Sequence, residues 1–463
     1  MVKRMIRNIF SFVVLTILCV TIFEIININI LPDKYFVPLL VAEGVLFLLG
    51  CLLYNLKNKF LIVLGVLLYL ISMAGNLFAS YYIGKVNHYI DDNFAVETYT
   101  VTTHYYLIAA ANDPVQSIEE FTKETPIQYY QYSRAVGKAI EKLGKYSYKA
   151  VDDAFGALLE VRNNLQYFLV PSASYEYVME ATTLIEKDSF RILYEFDVEQ
   201  EIVRNNKVPD SYNVYINGLD YTGIMRDFNM IATVNTKTHK VVLTSIPRDY
   251  YMEIPAYHIK DTLMYTGALD SEVSKEALEN LFDIKIDYTI NINANTVVDV
   301  VDAIGGVEYC SDDYFTGSYI VNGKGHTFTV SKGCKTYNGQ EILGIARIRK
   351  AFEGGDRARQ DHMRKIMISI IKKMASTTTL TNYQEVLNSF DGLYTTDMNK
   401  ETITNLIKEG IKDMNFEIIE QSVNGTDSIG VGHMGTQEAW IMTPDMNTVK
   451  AASKQINEVL KEK

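Results

Sequence analysis

The stretch IARIRKAFEGGDRARQDHMRK, residues 345–365, places seven lysines and arginines in one segment of a chain whose formal net charge is −12. Only Glu353, Asp356 and Asp361 oppose them there. In an extended backbone Arg347 and Arg349 face the same way; a Gly-Gly turn then leads to Arg357, Arg359, His362 and Arg364. Guanidinium forks match phosphate oxygens two at a time, so this composition suits an anion site, with a solvated basic face as the competing reading. Two further polar clusters carry the acidic counterpart. Asp220 and Asp227 stand seven residues apart in a loop leaving a strand that ends at Gly218, and Pro247–Arg248–Asp249 follows directly on another strand. Carboxylates beside arginines make sense if a divalent cation bridges them to phosphate oxygens, as Mg²⁺ does with one or two carboxylates. A metal and arginine clamp of that kind stabilises phosphoryl transfer. Singly, each cluster is an ordinary turn or surface ion pair; together they favour a phosphate site.

The elements around these clusters must bring them to one place. YNVYING reads as a strand, and NMIATVNTKTHKVVLTSIPRDYYMEI as two strands around an Asn-x-Lys-Thr turn. SEVSKEALENLF is a helix with Ser274 as candidate N-cap. DYTININ is a strand, ANTVVDVVDAIGGVEY a helix with a Gly-Gly stop and a strand, and NGQEILGIARIRK a helix running into an Arg-x-Arg strand. Another helix covers 359–375; further helices and a strand complete the chain after a Thr/Ser-rich linker at 376–382. Alternating strands and helices imply a mixed α/β sheet covered by helices, with polar residues past the strand ends sharing a crevice.

Upstream the texture changes. Apolar runs near 9–28, at 36–56 and at 60–84 are each about long enough to span a hydrocarbon core. Lys3, Arg4 and Arg7 hold the N-terminus in the cytoplasm, and Lys57 with Lys59 returns to it, so residues after about 88 lie outside. Glu24 and Glu43 interrupt two spans and are candidate pairing or functional groups. The expected organisation is a three-helix anchor over 1–88, an extracytoplasmic accessory domain over 89–207 and a catalytic domain over 208–463. Within the accessory part, 89–120 alternates like a strand, while the segments around 117–144 and 149–164 carry helical spacing. Its many tyrosines suit a core or a glycan surface equally.

Cys19 and Cys51 lie in the spans as small apolar residues. Cys310 and Cys334 flank a strand-rich insert, where a disulfide closing a loop of about 25 residues stabilises by roughly 3 kcal/mol. No metal-binding cysteine or histidine spacing appears, which argues against zinc. The acidic balance and outer location argue against nucleic acid. Oligomeric state is not readable.

Over about 208–463 the pieces NGLD, RDFNMIATVNTKTHKVVLTSIPRDYYMEI, VVDAIGGVEY, NGQEILGIARIRKAFEGGDRAR and MTPDMNTVKAASKQINEVL resemble the LytR–CpsA–Psr family of bacterial cell-envelope proteins. The three-span anchor with an accessory domain resembles its capsule-associated branch. The resemblance implies transfer of a glycopolymer, capsular or teichoic-acid-like, from undecaprenyl-pyrophosphate to peptidoglycan. It implies Mg²⁺ on Asp220 and Asp227, pyrophosphate contacts from Arg248, Arg347, Arg349, Arg357 and Arg359 with Asp249 in the same network, and an apolar tunnel for the prenyl chain under the sheet. Here Met225–Arg226–Asp227 replaces the family's Arg-Ser-Asp, and Met363 follows His362 where a Gln is common. The alternatives are a prenyl-pyrophosphate hydrolase and a non-catalytic lipid-pyrophosphate binding or assembly protein. A transcriptional attenuator is disfavoured by the topology.

Overall fold

The computed structural model describes residues 2–133, 135–164, 166–181, 184–205, 209–219, 225–269, 271–321, 324–348, 356–374, 394–412, 416–432 and 439–463. Three helices open the chain: α1 (Val2–Ile28), α2 (Asp33–Asn55) and α3 (Lys59–Phe94). All three are long and apolar enough to cross a membrane. α2 and α3 approach closely at glycines; a Cβ on Gly65 would meet the Tyr54 backbone nitrogen at 2.6 Å. Glu43 is paired, accepting bonds from Ser72 Oγ at 2.7 Å and Asn76 Nδ2 at 3.1 Å. α3 runs ten residues beyond the apolar run expected to stop at 84. Residues 89–94, read as strand, therefore belong to that helix; the polar turns simply continue its hydrogen bonding outside the apolar zone.

A five-stranded sheet follows. Its elements are β1 (Thr98–Ala110), β2 (Pro126–Tyr130), α4 (Val136–Leu143), β3 (Ser147–Val151), α5 (Ala154–Asn164), β4 (Tyr167–Pro171), α6 (Ser172–Ala181) and β5 (Phe190–Val203). The strand order is β3-β2-β4-β1-β5, with β2 parallel to both its neighbours. The helix expected over 117–144 shrinks to α4, because Pro126–Tyr130 pairs on both sides instead. Aromatic residues at Tyr129 and Tyr130 favour a pleated, half-buried strand over their local helical spacing.

The second sheet has six strands. The chain order is β6 (Ser211–Leu219), β7 (Arg226–Asn235), β8 (Lys240–Ser245), β9 (Tyr251–Ile254), β10 (Ile259–Thr262), α7 (Ser271–Phe282), β11 (Tyr288–Ile292) and α8 (Ala294–Ala303). Then come β12 (Val307–Ser311), β13 (Phe315–Val321), β14 (Lys324–Val330), β15 (Gly333–Tyr337), α9 (Gly339–Ala346) and α10 (Asp356–Met374). β16 (Tyr394–Thr396), α11 (Lys400–Lys412), β17 (Glu417–Ser422), β18 (Gly425–Gly430), β19 (Ala439–Pro444) and α12 (Met446–Lys461) complete it. The sheet order is β16-β11-β6-β7-β8-β17, mixed in direction.

Alternation along β7 builds both faces. Phe228, Met230, Ala232 and Val234 pack toward Ile368 of α10. Ile231 points oppositely, into a core with Leu278 of α7 and Val449, Ala452 and Ile456 of α12. Truncating Ile231, fully buried here, to Ala removes roughly 2–5 kcal/mol. α8 ends at Gly305 and Gly306, whose φ of 77° and 84° are left-handed, as the Gly-Gly stop predicts.

Two expectations are corrected. Ser274 is not an N-cap: α7 starts at Ser271, and the Ser274 hydroxyl is buried against Thr266 Oγ1 at 2.6 Å. Arg347 does not open a strand: it is the C-cap of α9, with helical φ −95° and ψ −8°. The Thr/Ser-rich linker lies outside the described residues. Cys310 and Cys334 oppose each other on antiparallel β12 and β15 and are disulfide-bonded.

The second sheet is fastened to the anchor. Arg204 donates to Asn93 O at 2.8 Å, Val96 O at 3.1 Å and Met398 O at 3.0 Å. Lys400 of α11 pairs with Asp91 of α3, and Lys408 Nζ donates to Asn29 Oδ1 at 2.8 Å.

Candidate functional site

β6 and β7 are antiparallel, and their register slips between Gly218 and Leu219, so Leu219 faces Arg226 across a bulge. Arg226 and Asp227 consequently leave the strand end on opposite sides. Arg226 is 4% exposed and donates to Asn217 Oδ1 and, at 3.3 Å, to Asn291 Oδ1. Asn217 and Asn291 are register partners on parallel strands, bonded at 2.7 Å. This Arg–Asn–Asn network escaped the sequence reading; the only signal was an Asn near the end of each of YNVYING and DYTININ.

Asp227 turns to the other side and collects two arginines. Arg248 Nη1 donates to Oδ1, and Arg359 Nη1 donates to Oδ2 at 2.8 Å. Arg248 leaves β8 after Pro247 on a pinned turn. Its carbonyl accepts from Met264 N at 2.8 Å, and the next carbonyl, on Asp249, accepts from Met442 N at 2.7 Å. Asp249 is 5% exposed, with Oδ1 at 3.6 Å from Arg248 Nε. Arg359 sits in the first turn of α10 and is 3% exposed. Three segments distant in sequence therefore converge on one carboxylate. Burial pushes the Asp227 carboxyl up, but Arg248 and Arg359 together outweigh it and hold the pKa below the usual aspartate value. Asp227 is thus ionised at neutral pH.

Arg347 is exposed at the end of α9, and Arg357 lies in the first turn of α10. Asp220 and Arg349 lie outside the described residues. His362 turns inward to the Tyr309 hydroxyl, and burial lowers its pKa. Arg364 Nη1 donates to Glu420 Oε2 at 2.9 Å, and Arg364 Nη2 to Asp361 Oδ1 at 2.5 Å. Met363 joins the apolar layer between the sheet and α10, where a Gln would bury an amide.

Arg248, Arg359, Asp227 and Asp249 sum to no net charge. An anion is drawn to this spot only by additional positive charge, from further arginines or a cation. The donor chemistry fits a hard divalent cation: Asp227 is an ionised carboxylate with about a fifth of its side chain exposed, and each oxygen keeps a second lone pair beyond its arginine. The grouping of Glu308 with Cys310 and Cys334 is no metal site, since both sulfurs are in the disulfide.

Among similar proteins, a polyisoprenyl-teichoic acid–peptidoglycan teichoic acid transferase, TagU, of Bacillus anthracis is 32% identical over 217 residues. The match covers 46% of this chain and 66% of that relative, just under two thirds of its length. A transferase of the same name from Enterococcus faecalis is 28% identical over 207 residues, covering 43% and 65%. The crystal structure of Bacillus subtilis TagU aligns at 26% identity and TM-score 0.42, covering 55% of this chain and 99% of that one. A structure described as TagT bound to LIIa-WTA aligns at 21% identity and TM-score 0.44, covering 55% and 92%. The LytR_cpsA_psr family model matches residues 176–456, more than half the chain, and begins inside α6 rather than at the second sheet. With Asp227, Arg248 and Arg359 all inside that matched span, the chain belongs to the LytR_cpsA_psr family.

Proposed function

We propose that this chain is a membrane-anchored, extracytoplasmic phosphotransferase that moves a glycopolymer from a polyprenyl-pyrophosphate carrier to peptidoglycan. One observation supports it above the rest: Asp227 is bracketed by Arg248 and Arg359, brought from separate elements to the end of β7. Such convergence suits a diphosphate, which needs forked donors from several directions at once.

In this reading Arg248 and Arg359 swing part of their donor set from Asp227 to the diphosphate, with Arg347, Arg349 and Arg357 adding charge around it. Asp249 restrains Arg248. Asp227 and Asp220 would hold Mg²⁺, which when bound neutralises charge on the bridging and non-bridging oxygens. An acceptor hydroxyl oxygen attacks the glycan-side phosphorus. A new P–O bond forms, the bond to the carrier phosphate breaks, polyprenyl phosphate departs with the electron pair, and the hydroxyl proton is released. Arginines that already face an ionised carboxylate need little reorganisation as charge builds on the leaving phosphate.

The prenyl chain is assigned to the layer between the sheet and α10. Its lining, Phe228, Met230, Met363, Met367 and Ile368, includes three methionines, which repack readily around a ligand. Lys400–Asp91 and Lys408–Asn29 hold α11, on that same face, against the outer ends of the anchor helices. Those contacts support a chain-binding side that faces the bilayer. The polymer can be capsular or teichoic-acid-like; the relatives named above act on teichoic acid.

The test uses purified full chain in detergent or nanodiscs with a prenyl-pyrophosphate glycan and a peptidoglycan acceptor, with and without Mg²⁺. Transfer of glycan phosphate is expected. Release of free glycan phosphate alone favours a hydrolase, and binding without turnover an assembly protein.

A further inference from the structure

The five-stranded sheet does not stand apart from the arginine site. Its core continues into the second sheet's territory: Tyr130, Phe168, Tyr175, Tyr177 and Val178 share one buried cluster with Ile254, Tyr265, Ala268 and Val273. Three contacts grip a single segment, the 3-10 helix Leu263–Ala268. The Tyr130 hydroxyl is hydrogen-bonded to the Tyr265 hydroxyl, both fully buried. Ser174 Oγ donates to Ala268 O at 3.0 Å. The Tyr177 ring lies 5.7 Å from the Tyr265 ring.

That segment is what holds the Arg248 turn. Met264 N donates to Arg248 O at 2.8 Å, and Leu263 N donates to Tyr250 O at 2.9 Å. The path from the five-stranded sheet to Arg248 is therefore two links long: Tyr130 to Tyr265, and Met264, next to Tyr265, to the Arg248 carbonyl. Asp261, 1% exposed, lies at the same junction, within electrostatic reach of Tyr130, Tyr177 and Tyr265. Arg248 and Asp249 also act on the Tyr177 hydroxyl. A merely tethered domain would not place this much polar contact behind an arginine turn. An unpaired buried hydroxyl is costly, so this contact defines one docking geometry rather than a range.

We propose that the accessory sheet is a buttress of the site, and that Tyr130, Ser174 and Tyr177 are positioning residues that set Arg248 through the Leu263–Ala268 segment. This rests on the phosphotransferase reading for its kinetic consequence, but its structural consequence is independent of it. Tyr130→Phe removes one hydroxyl and leaves the ring in place; Ser174→Ala removes the second tie and serves if the first variant folds poorly.

In hydrogen exchange on the full chain, Tyr130→Phe is expected to speed exchange at the Leu263 and Met264 amides while β7 and the β13–β14 hairpin stay as they are. Unchanged exchange at 263–264 in both variants overturns the proposal, as does a uniform rise throughout the second sheet. Turnover is expected to fall about ten- to a hundredfold, the scale for a displaced catalytic arrangement. In a double-mutant cycle, that loss disappears in an Arg248→Ala background and persists in an Arg347→Ala background. Losses that multiply fully with Arg248→Ala overturn it. A wild-type chain that neither binds nor turns over the carrier sinks the phosphotransferase reading instead, and the exchange at 263–264 then decides the buttress alone.

Discussion

Asp227 on β7 and Arg359 on α10 are 132 residues apart in sequence and meet at 2.8 Å. Arg359 is the more buried partner, at 3% side-chain exposure against 21% for Asp227. The pair therefore has two uses. It pins the first turn of α10 to the sheet, and it keeps a guanidinium at a strand end ready for another anion.

Removing one partner separates these uses. Asp227→Ala leaves Arg248 and Arg359 without their shared carboxylate, and the loss is expected to be about 3–5 kcal/mol, as for a broken buried pair. Denaturant unfolding measures it. Asp227→Ala is also expected to abolish turnover and its dependence on Mg²⁺. Full stability with lost turnover would mean that Asp227 contributes only to the chemistry.

Acid titration distinguishes two carboxylates of opposite behaviour. Asp227 has a folded pKa below its unfolded value, so its contribution is present above the unfolded pKa and lost as pH falls through the folded one. Asp397 is the reverse: burial raises it to about 6, against an accepted bond from Thr289 N at 2.6 Å. Between about pH 4 and 6 the folded state holds its proton more tightly than the unfolded chain, so stability falls as pH rises, by roughly 3 kcal/mol in all. Asp397→Asn is expected to flatten that slope, while Asp227→Asn flattens the acid limb below it. Unfolding midpoints from pH 3 to 7 give the comparison; an unchanged slope in Asp397→Asn refutes this assignment.

The disulfide gives a simpler expectation. Cys310 and Cys334 are 24 residues apart, and opening that loop costs about 3 kcal/mol in the chain-entropy view. Cys310→Ser with Cys334→Ser should lower stability on that scale. In the native chain both sulfurs should resist thiol reagents until reduced.

What the sequence disclosed follows the range of each signal. The Asn-x-Lys-Thr turn between two apolar, β-branched runs and the spacing of the closing helix are local signals, and β7 and α12 lie where they predict. The grouping of Asp227 with Arg248 and Arg359 was also readable, because each residue marks the end of an element with a clear pattern. Arg347 was misplaced for the opposite reason: two arginines around one isoleucine look alternating, while the capping box at Asn338 and Glu341 launches a helix that reaches Ala346. Tyr130 and Tyr265, 135 residues apart, could not be matched at all. A tyrosine carries no sequence mark of the hydroxyl it will meet, and that contact depends on how two sheets dock.

The final prediction concerns the arginine fork. Arg248 and Arg359 each donate to one oxygen of Asp227, and each guanidinium presents its donors as a rigid planar fork. A lysine keeps the charge but offers a point donor on a flexible stem, so it cannot hold carboxylate and phosphate together. Arg248→Lys and Arg359→Lys should therefore bind a prenyl-pyrophosphate analogue nearly as poorly as the alanine variants, about ten- to a hundredfold below wild type, which is the loss of one charge-assisted bond of about 1.5–3 kcal/mol. Arg364, tied to Asp361 and Glu420, is the internal control and should stay within about 0.5 kcal/mol when changed to lysine. If lysine at 248 restores wild-type affinity, charge alone suffices, and the geometric case for a diphosphate held by forks is lost.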